Sequence, residues 1–307
     1  MTFFDKLEQL RASASVRHAR LPRPYPAVVL FLSASDGHAR AHVVHAAEET
    51  FDQAWAALLL RAGALLRRHR LCGRWLRIDW VSHAAATSWG DLEAQLSTVK
   101  RNYFRNGLAL DAAFDMAFLE QELNGNAMLY GGNAVAHAVL NRGNILTYAQ
   151  RRYGADIAID FSATREVHSF RTAGLFRDED GRIHELEEIP LNEGRRRIDS
   201  LSGVDVLALV EAGSGFLARQ VGPEGRFTYG YHPCFDREIG TYNALRHASS
   251  TYAMIEAWEV TRDGACPSSD DLRLFRCLRS GGSGSSGFEV RRLATGAASV
   301  FSGWSGA

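Results

Sequence analysis

Residues 216–263 read FLARQVGPEGRFTYGYHPCFDREIGTYNALRHASSTYAMIEAWEVTRD, and this stretch decides the fold that the sequence predicts. A helix is expected over 205–220, and a turn that contains glycine follows it. A second loop, 234–241, leads into another expected helix over 242–260. Most positions in the later turns of that helix are small or apolar, which suits close packing on several sides. The stretch therefore predicts two packed helices, with polar and aromatic residues gathered between them.

The two halves of this stretch, FLARQVGPEGRFTYGY and YNALRHASSTYAMIEAWEVTRD, resemble the opening hairpin of α/α-toroid proteins. That group includes six-hairpin glycosidase-like enzymes and sugar epimerases of the N-acylglucosamine 2-epimerase type. In such folds an inner helix begins at the mouth of a funnel, and its first turn holds polar and aromatic groups against a sugar. The resemblance covers about residues 205–263. It implies a carbohydrate-active or polysaccharide-associated enzyme, either a glycoside hydrolase or a sugar epimerase.

The resemblance also implies a site near residues 229–247. Aromatic rings stack on the apolar faces of sugars, while Arg and Asn side chains bridge hydroxyls or a carboxylate. His247 and Asp236 are the predicted catalytic residues, because either could exchange a proton. The predicted substrate-binding residues are Tyr229, Tyr231, His232, Tyr242, Asn243 and Arg246. The alternative is a packed helix pair in which Arg246 and His247 make structural contacts.

A complete toroid needs about six helical hairpins, but few residues follow Asp263 in the 307-residue chain. Near Gly264 the composition changes to Ser, Gly, Arg and Ala, as a frameshift in GC-rich coding DNA would produce. We therefore expect either a minimal helical domain or a truncated enzyme copy. The low-complexity segment 279–307 is expected to be a flexible tail. A non-catalytic glycan- or protein-binding subunit is the alternative function.

The first 190 residues show strand and helix patterns that predict an α/β domain of unknown role. Buried strands are expected at 27–32, which reads AVVLFL, and at 75–81, which reads WLRIDWV. Thr50 is expected to cap a helix over 51–68. Further expected elements are helices over 91–100, 114–123 and 141–152 and strands over 39–45, 157–161, 166–176 and 182–186. The predicted fold class is α+β, with an α/β domain over 1–190 followed by a partial α/α-toroid-like helical domain over 191–278.

Two other segments carry possible binding chemistry. Residues 100–106 read KRNYFRN, which could bind a phosphate, a carboxylate or an anionic glycan. They could equally form a solvated helix C-terminus. The Asn- and Gly-rich stretch 123–144 suits either sugar hydroxyls or turns. The structural interpretation is favoured for both segments.

Charge and composition exclude several classes of protein. The chain has 35 basic and 35 acidic residues and no net charge, which argues against a nucleic-acid or anionic-membrane binder. It contains no apolar run of about 18 residues, so no membrane span is expected. The amino terminus shows no secretory signal pattern, and a cytoplasmic location is expected. The expected partner is a small-molecule or polymeric carbohydrate, and the oligomeric state stays open.

The cysteines give no sign of a metal site or a disulfide framework. Cys72, Cys234, Cys266 and Cys277 are far apart and form no CxxC pair, which fits a reducing compartment. His232 and Cys234 form an HxC pair, but its spacing to the later cysteines matches no common zinc signature. Neither a metal nor a cofactor is therefore predicted.

Overall fold

A computed structural model of the chain describes residues 2–37, 39–189 and 192–261. These residues fall into two compact units. The first unit comprises the chain up to Ile198 together with the segment His232–Asp236, and the second comprises Asp199–Tyr231 and the residues from Arg237 onward. The predicted flexible tail, 279–307, lies outside the described residues.

The described residues contain short and long elements of both kinds. The helices are α1 (Phe3–Ser15), α2 (Phe51–His69), α3 (Trp89–Ser97), α4 (Glu120–Gly125), α5 (Arg142–Tyr153), α6 (Gly203–Arg219) and α7 (Ala244–Thr261). The strands are β1 (Val28–Ser35), β2 (His42–Glu48), β3 (Trp75–Ser88), β4 (Gly107–Ala109), β5 (Ala117–Phe118), β6 (Glu166–Arg177), β7 (Ile183–Glu185), β8 (Tyr231–His232) and β9 (Arg237–Glu238).

Seven strands of the first unit form one antiparallel sheet that curls into a half-barrel. Its order is β2-β1-β3-β6-β4-β5, and β7 also pairs with β6. β3 and β6 pair over most of their length, with a register shift between Val81 and His83. A bulge of this kind bends the strand and increases its twist, which suits a curled sheet.

The two faces of the central strands differ in chemistry. Leu30, Leu32 and Ile78 lie on one face and pack in a core with the apolar sides of α1 and α2. On the opposite face, Phe31 lies beside Asp79, and Asp79 lies beside Gly174 in the register. Successive side chains of a strand alternate between faces, and this opposite face carries a second apolar cluster, which includes Val29, Phe31 and Val81, together with the Asp79 carboxylate.

Several local predictions are confirmed. The AVVLFL segment lies in β1, and β2 returns antiparallel to it. The Thr50 side chain accepts from Gln53 N–H at the start of α2, as the capping rule predicts. The expected helices over 91–100 and 141–152 form as α3 and α5, and the structure shows that Ser88 and Asn141 cap them. The expected strand over 166–176 is β6.

Two local predictions are wrong. The expected helix over 114–123 is interrupted, because the Asp111 carboxylate accepts from Asp115 N–H and Met116 N–H and closes a turn instead. Residues Ala117–Phe118 then pair with β4 as β5. The expected strand over 157–161 does not form. Its alternate side chains Ile157, Ile159 and Phe161 pack against a core cluster, which gave an extended apolar pattern without a partner strand.

The predicted fold class is wrong in its second part, while the mixed α and β character of the first part is compatible with the structure. The described part of 191–278 contains one pair of long helices, α6 and α7, and not a partial α/α toroid. Their buried core consists of Ala218 and Met254 with a few partly buried neighbours. The helical periodicity identified the two helices correctly, but periodicity alone does not say how many hairpins follow.

A buried ion pair joins α4 and α5. Arg152 Nη1 donates to Glu122 Oε1 at 2.6 Å, and both side chains are less than a tenth exposed. The same nitrogen donates to the Ala117 carbonyl. Tyr148 O–H and the Leu119 N–H also donate to the Glu122 carboxylate. The carboxylate is thus surrounded by donors, which is the condition under which a buried charge is tolerated.

His45 on β2 completes this network as a neutral ring. Its Nε2–H donates to the Phe114 carbonyl at 2.6 Å, and its Nδ1 accepts from Arg152 Nη2 at 3.1 Å. These roles follow because a carbonyl only accepts and a guanidinium only donates. Burial first, and then the Arg152 charge, lower the pKa of His45 to about 3.

Removal of one member of the ion pair should strongly destabilise the first unit. Glu122→Ala leaves the Arg152 charge buried, so we expect the free energy of unfolding to fall by about 3–5 kcal/mol. The matched control is Glu93→Ala, which breaks an exposed ion pair with Arg142 and should cost less than about 1 kcal/mol. Chemical denaturation measures both. Equal effects of the two substitutions would contradict a structural role for the buried pair.

The neutral state of His45 should make stability depend on pH. Below pH 6.5 the unfolded chain protonates this ring, whereas the folded ring stays neutral until about pH 3. The folded state therefore loses up to about 1.4 kcal/mol per pH unit across this window as the pH falls. His45→Gln removes the titrating group. The slope of the unfolding free energy against pH should therefore fall by up to about 1.4 kcal/mol per pH unit in this window. Parallel curves for the two proteins would exclude this assignment.

Candidate functional site

The second unit gathers several of the predicted site residues around the start of α7. Asn243 directly precedes the helix, and its Oδ1 accepts from Arg246 N–H at 3.1 Å. The carbonyl of Asn243 accepts from His247 N–H. These bonds close the first helical turn and fix the direction in which Arg246 and His247 leave the backbone.

A phenol and an imidazole share a short hydrogen bond at this position. Tyr242 Oη lies 2.5 Å from His247 Nδ1, and Phe227 N–H donates to the same Oη at 3.2 Å. The phenol oxygen therefore accepts from the backbone and can donate its proton to the imidazole. The His247 ring also meets the Phe227 ring edge-to-face, with centroids 5.4 Å apart. Three contacts thus hold the Tyr242 and His247 side chains in place.

Two guanidinium groups lie over the tyrosine rings. Arg246 Cζ is 5.1 Å from the centre of the Tyr229 ring, and Arg226 Cζ is 5.3 Å from that of Tyr242. The two tyrosine rings are themselves 6.2 Å apart, with 50° between their planes. Cations at these distances are attracted to the ring faces. We call Arg226, Phe227, Tyr229, Tyr242, Arg246 and His247 the Tyr–Arg cluster.

The Tyr–Arg cluster lies at the surface. Tyr242 is 39% exposed, and Arg226, Asn243 and Arg246 are exposed as well. Tyr229 and His247 are half-buried. The exposed ring of Tyr242, the exposed Arg226 and Arg246 side chains and the half-buried Tyr229 and His247 thus lie together at the surface. Groups of these types can stack on a sugar ring and donate hydrogen bonds to its substituents.

The remaining predicted site residues are placed differently. His232 and Asp236 belong to the first unit. The His232 ring meets the Phe235 ring edge-to-face, and Asp236 is exposed with a φ of 53°. Tyr231 belongs to the second unit and is exposed. The catalytic assignment of Asp236 and the binding assignments of Tyr231 and His232 stay predictions.

Sequence reasoning missed two members of the cluster. Arg226 and Phe227 belong to the quoted GRFTYGY segment, but they precede the aromatic residues that were singled out there. The backbone pairing between Val221 and Phe227 brings this segment back beside its own start. The Gly–Arg–aromatic sequence in the turn between the two helices is the signal from which these two residues could have been predicted.

Comparison with known proteins adds no family assignment. No protein-family model, no curated protein and no solved structure matches the chain significantly. Within residues 2–37, 39–189 and 192–261, no group of three or more His, Cys, Asp or Glu side chains could hold a metal ion. In the same residues, no helix is both long and apolar enough to cross a bilayer. The site must therefore be interpreted from its own chemistry.

Proposed function

We propose that the protein is a non-catalytic carbohydrate-binding protein and that the Tyr–Arg cluster is its binding surface. The observation that carries this proposal is the surface pairing of two tyrosine rings with two guanidinium groups. The apolar face of a sugar ring stacks on an aromatic side chain, and fixed guanidinium donors suit its hydroxyls or a carboxylate. A small-molecule or polymeric carbohydrate is the proposed partner.

The exposure of the cluster supports binding over catalysis. Efficient catalysis requires groups held in a site from which water is excluded, where electrostatic interactions are strong. Tyr242 and Arg246 are exposed, which suits an open surface to which a sugar chain can bind. A cytoplasmic location is also proposed, and it is supported by the unpaired thiols of Cys72 and Cys234.

Loss of the Tyr229 ring should weaken carbohydrate binding. Because aromatic contacts contribute roughly 0.5–1.5 kcal/mol beyond area burial, Tyr229→Ala should lower affinity several-fold to about tenfold. Tyr229→Phe keeps the ring and should bind like the native protein. A glycan array identifies the ligand, and calorimetry then measures the affinities.

The control for this experiment is Tyr252→Ala, which removes another exposed tyrosine from α7. It should leave affinity unchanged. Equal affinity of the native protein and of Tyr229→Ala for every glycan that binds would refute the proposed surface, and so would the absence of any bound glycan.

The hydrogen bond between Tyr242 and His247 favours a second candidate function, that of a glycoside hydrolase or sugar epimerase. His247 would exchange a proton with the substrate, and Tyr242 would hold the imidazole in one orientation. Arg246 and Tyr229 would bind the sugar beside it.

This second candidate predicts turnover that depends on His247. His247→Asn should lower the rate by about 10²–10⁴-fold, the usual contribution of a positioned acid or base, and leave sugar binding largely intact. The assay monitors release of reducing ends and change of sugar configuration by NMR. Native protein that binds a glycan without converting it would exclude the enzyme and retain the binding protein.

A further inference from the structure

A cavity of about 390 Å³, lined mostly by residues with polar side chains, lies in the first unit and shares no residue with the Tyr–Arg cluster. Its volume falls at the lower end of the range for small-molecule sites, about 300–1,000 Å³. Its lining consists of Asn102, Arg105, Glu120, Gln121, Asn124, Gly194 and Arg195. The cavity thus brings together residues of the KRNYFRN segment and of the Asn- and Gly-rich stretch 123–144.

An ion pair fixes the orientation of Arg105 in this cavity. Arg105 Nη1 lies 2.7 Å from Glu120 Oε1, and the side chains are 18% and 11% exposed. Asn124 Nδ2 donates to the same carboxylate oxygen at 2.7 Å and to the Phe104 carbonyl. The guanidinium therefore cannot turn freely, and its remaining edge has a defined direction.

Two buried polar atoms of the lining lack partners. Arg105 Nε and Gln121 Oε1 are both shielded from solvent and make no hydrogen bond within the described residues. Buried polar atoms are nearly always paired, because an unpaired one costs free energy comparable to a lost hydrogen bond. One of these atoms is a donor on a cation and the other is a neutral acceptor. A complementary ligand must therefore present an acceptor to Arg105 Nε and a donor to Gln121 Oε1.

Gly194 forms part of the cavity wall. This residue has a φ of +75°, and a Cβ there would lie 2.6 Å from Gln121 Nε2 and 2.9 Å from Arg77 Nη2. Its carbonyl accepts from Arg77 Nη1 at 2.8 Å. Arg77 in turn pairs with the buried Asp79. The cavity is thus backed by a saturated ion pair, while Arg105 keeps an unused donor.

We propose that this cavity binds a small carboxylate that carries hydroxyl groups, such as a sugar acid. The edge of a guanidinium that holds Nε and Nη2 takes a carboxylate side-on through two parallel hydrogen bonds. Because Arg105 Nε and Gln121 Oε1 are both shielded from solvent, ligand binding has to move neighbouring side chains aside, and the Arg105 Nε–H then gains its acceptor. A ligand hydroxyl donates to Gln121 Oε1, and the amides of Asn102 and Asn124 and the Arg195 side chain line the space for further hydroxyls.

The cation content of the surroundings supports an anionic ligand. The lining contains two arginines, Arg105 and Arg195, and one carboxylate, that of Glu120. Lys100, which lies two residues before Asn102 in the sequence, and Arg105 both lie against the ring of Tyr103, at 5.6 and 5.8 Å from its centre. A carboxylate is therefore favoured in this region over an ammonium group.

Calorimetry of the full chain with sodium D-glucuronate tests this proposal. We expect saturable binding of D-glucuronate and at least tenfold weaker binding of D-glucose and of acetate, which lack the carboxylate and the hydroxyls respectively. Arg105→Lys keeps the charge but removes the side-on edge, and should weaken D-glucuronate binding at least tenfold. Gln121→Met removes the acceptor with little change in size and should weaken it several-fold.

Two controls separate the binding defect from general effects. Arg142→Lys alters an exposed ion pair with Glu93 and should bind D-glucuronate like the native protein. Thermal melting confirms folding, and Gln121→Met decides the question if Arg105→Lys does not fold. Absence of D-glucuronate binding to the native protein would overturn the proposal. Equal binding of D-glucose, or unchanged affinity in folded Arg105→Lys and Gln121→Met, would do the same.

This test is independent of the carbohydrate surface in the second unit. Tyr229→Ala should leave D-glucuronate binding by this cavity unchanged, and Arg105→Lys should leave binding at the Tyr–Arg cluster unchanged. Failure of one proposal is thus visible without failure of the other. Loss of D-glucuronate binding in Tyr229→Ala alone would overturn the assignment to the cavity.

Discussion

The antiparallel pairing of β3 with β6 is the constraint on which the rest of the first unit depends. β1 pairs with the other edge of β3, while β4 and β7 both pair with β6. If β3 shifted by one residue relative to β6, every side chain of β3 would move to the opposite face of the sheet. Ile78 would then leave the core beneath α1 and α2, and Asp79 would enter it. The core that includes α1 and α2 therefore fixes the register, and the register decides which residues lie on the opposite face of the sheet.

This register buries a charged group, and neighbouring residues compensate its charge. It buries the Asp79 carboxylate, which is 1% exposed and therefore needs a partner close by. Arg77, two residues earlier on the same face, donates to both carboxylate oxygens through Nε and Nη2. Burial opposes the charge of Arg77, but the neighbouring carboxylate prevails and raises its pKa. Opposite Asp79, Gly174 leaves room for the carboxylate, since a Cβ there would lie 2.8 Å from Asp79 Oδ1.

The sequence could predict those parts of the structure that local signals determine. Strands β1 and β6 and the capped helix α2 follow from apolar periodicity and from the Thr50 side chain. The number of helical hairpins is not a local property, so the helix pair α6 and α7 was wrongly extended to a toroid. The short strand β4 was missed because three residues carry too little pattern, and it depends on pairing with β6.

The two candidate sites also differ in how far their residues are separated along the chain. The Tyr–Arg cluster lies within one stretch of about twenty residues, where the closeness of Tyr229, Tyr242 and His247 along the chain made their contact predictable. The cavity of the first unit combines residues around positions 102, 120 and 194. Nothing in the sequence joins these three segments, because only the folded sheet and the loop with Gly194 bring them together.

The hydrogen bonds of the buried arginines distinguish a structural role from a binding role. Arg152 uses Nη1 for two oxygen acceptors and Nη2 for the ring of His45. Arg77 uses Nε and Nη2 for Asp79 and Nη1 for Gly194. A lysine could not hold such forks, because its donors share one nitrogen. In contrast, Arg105 is fixed at Nη1 by Glu120, and its buried Nε lacks an acceptor in the described chain. Arg77 and Arg152 therefore have a structural role, whereas the unpartnered donor of Arg105 is the basis of the proposed carboxylate site.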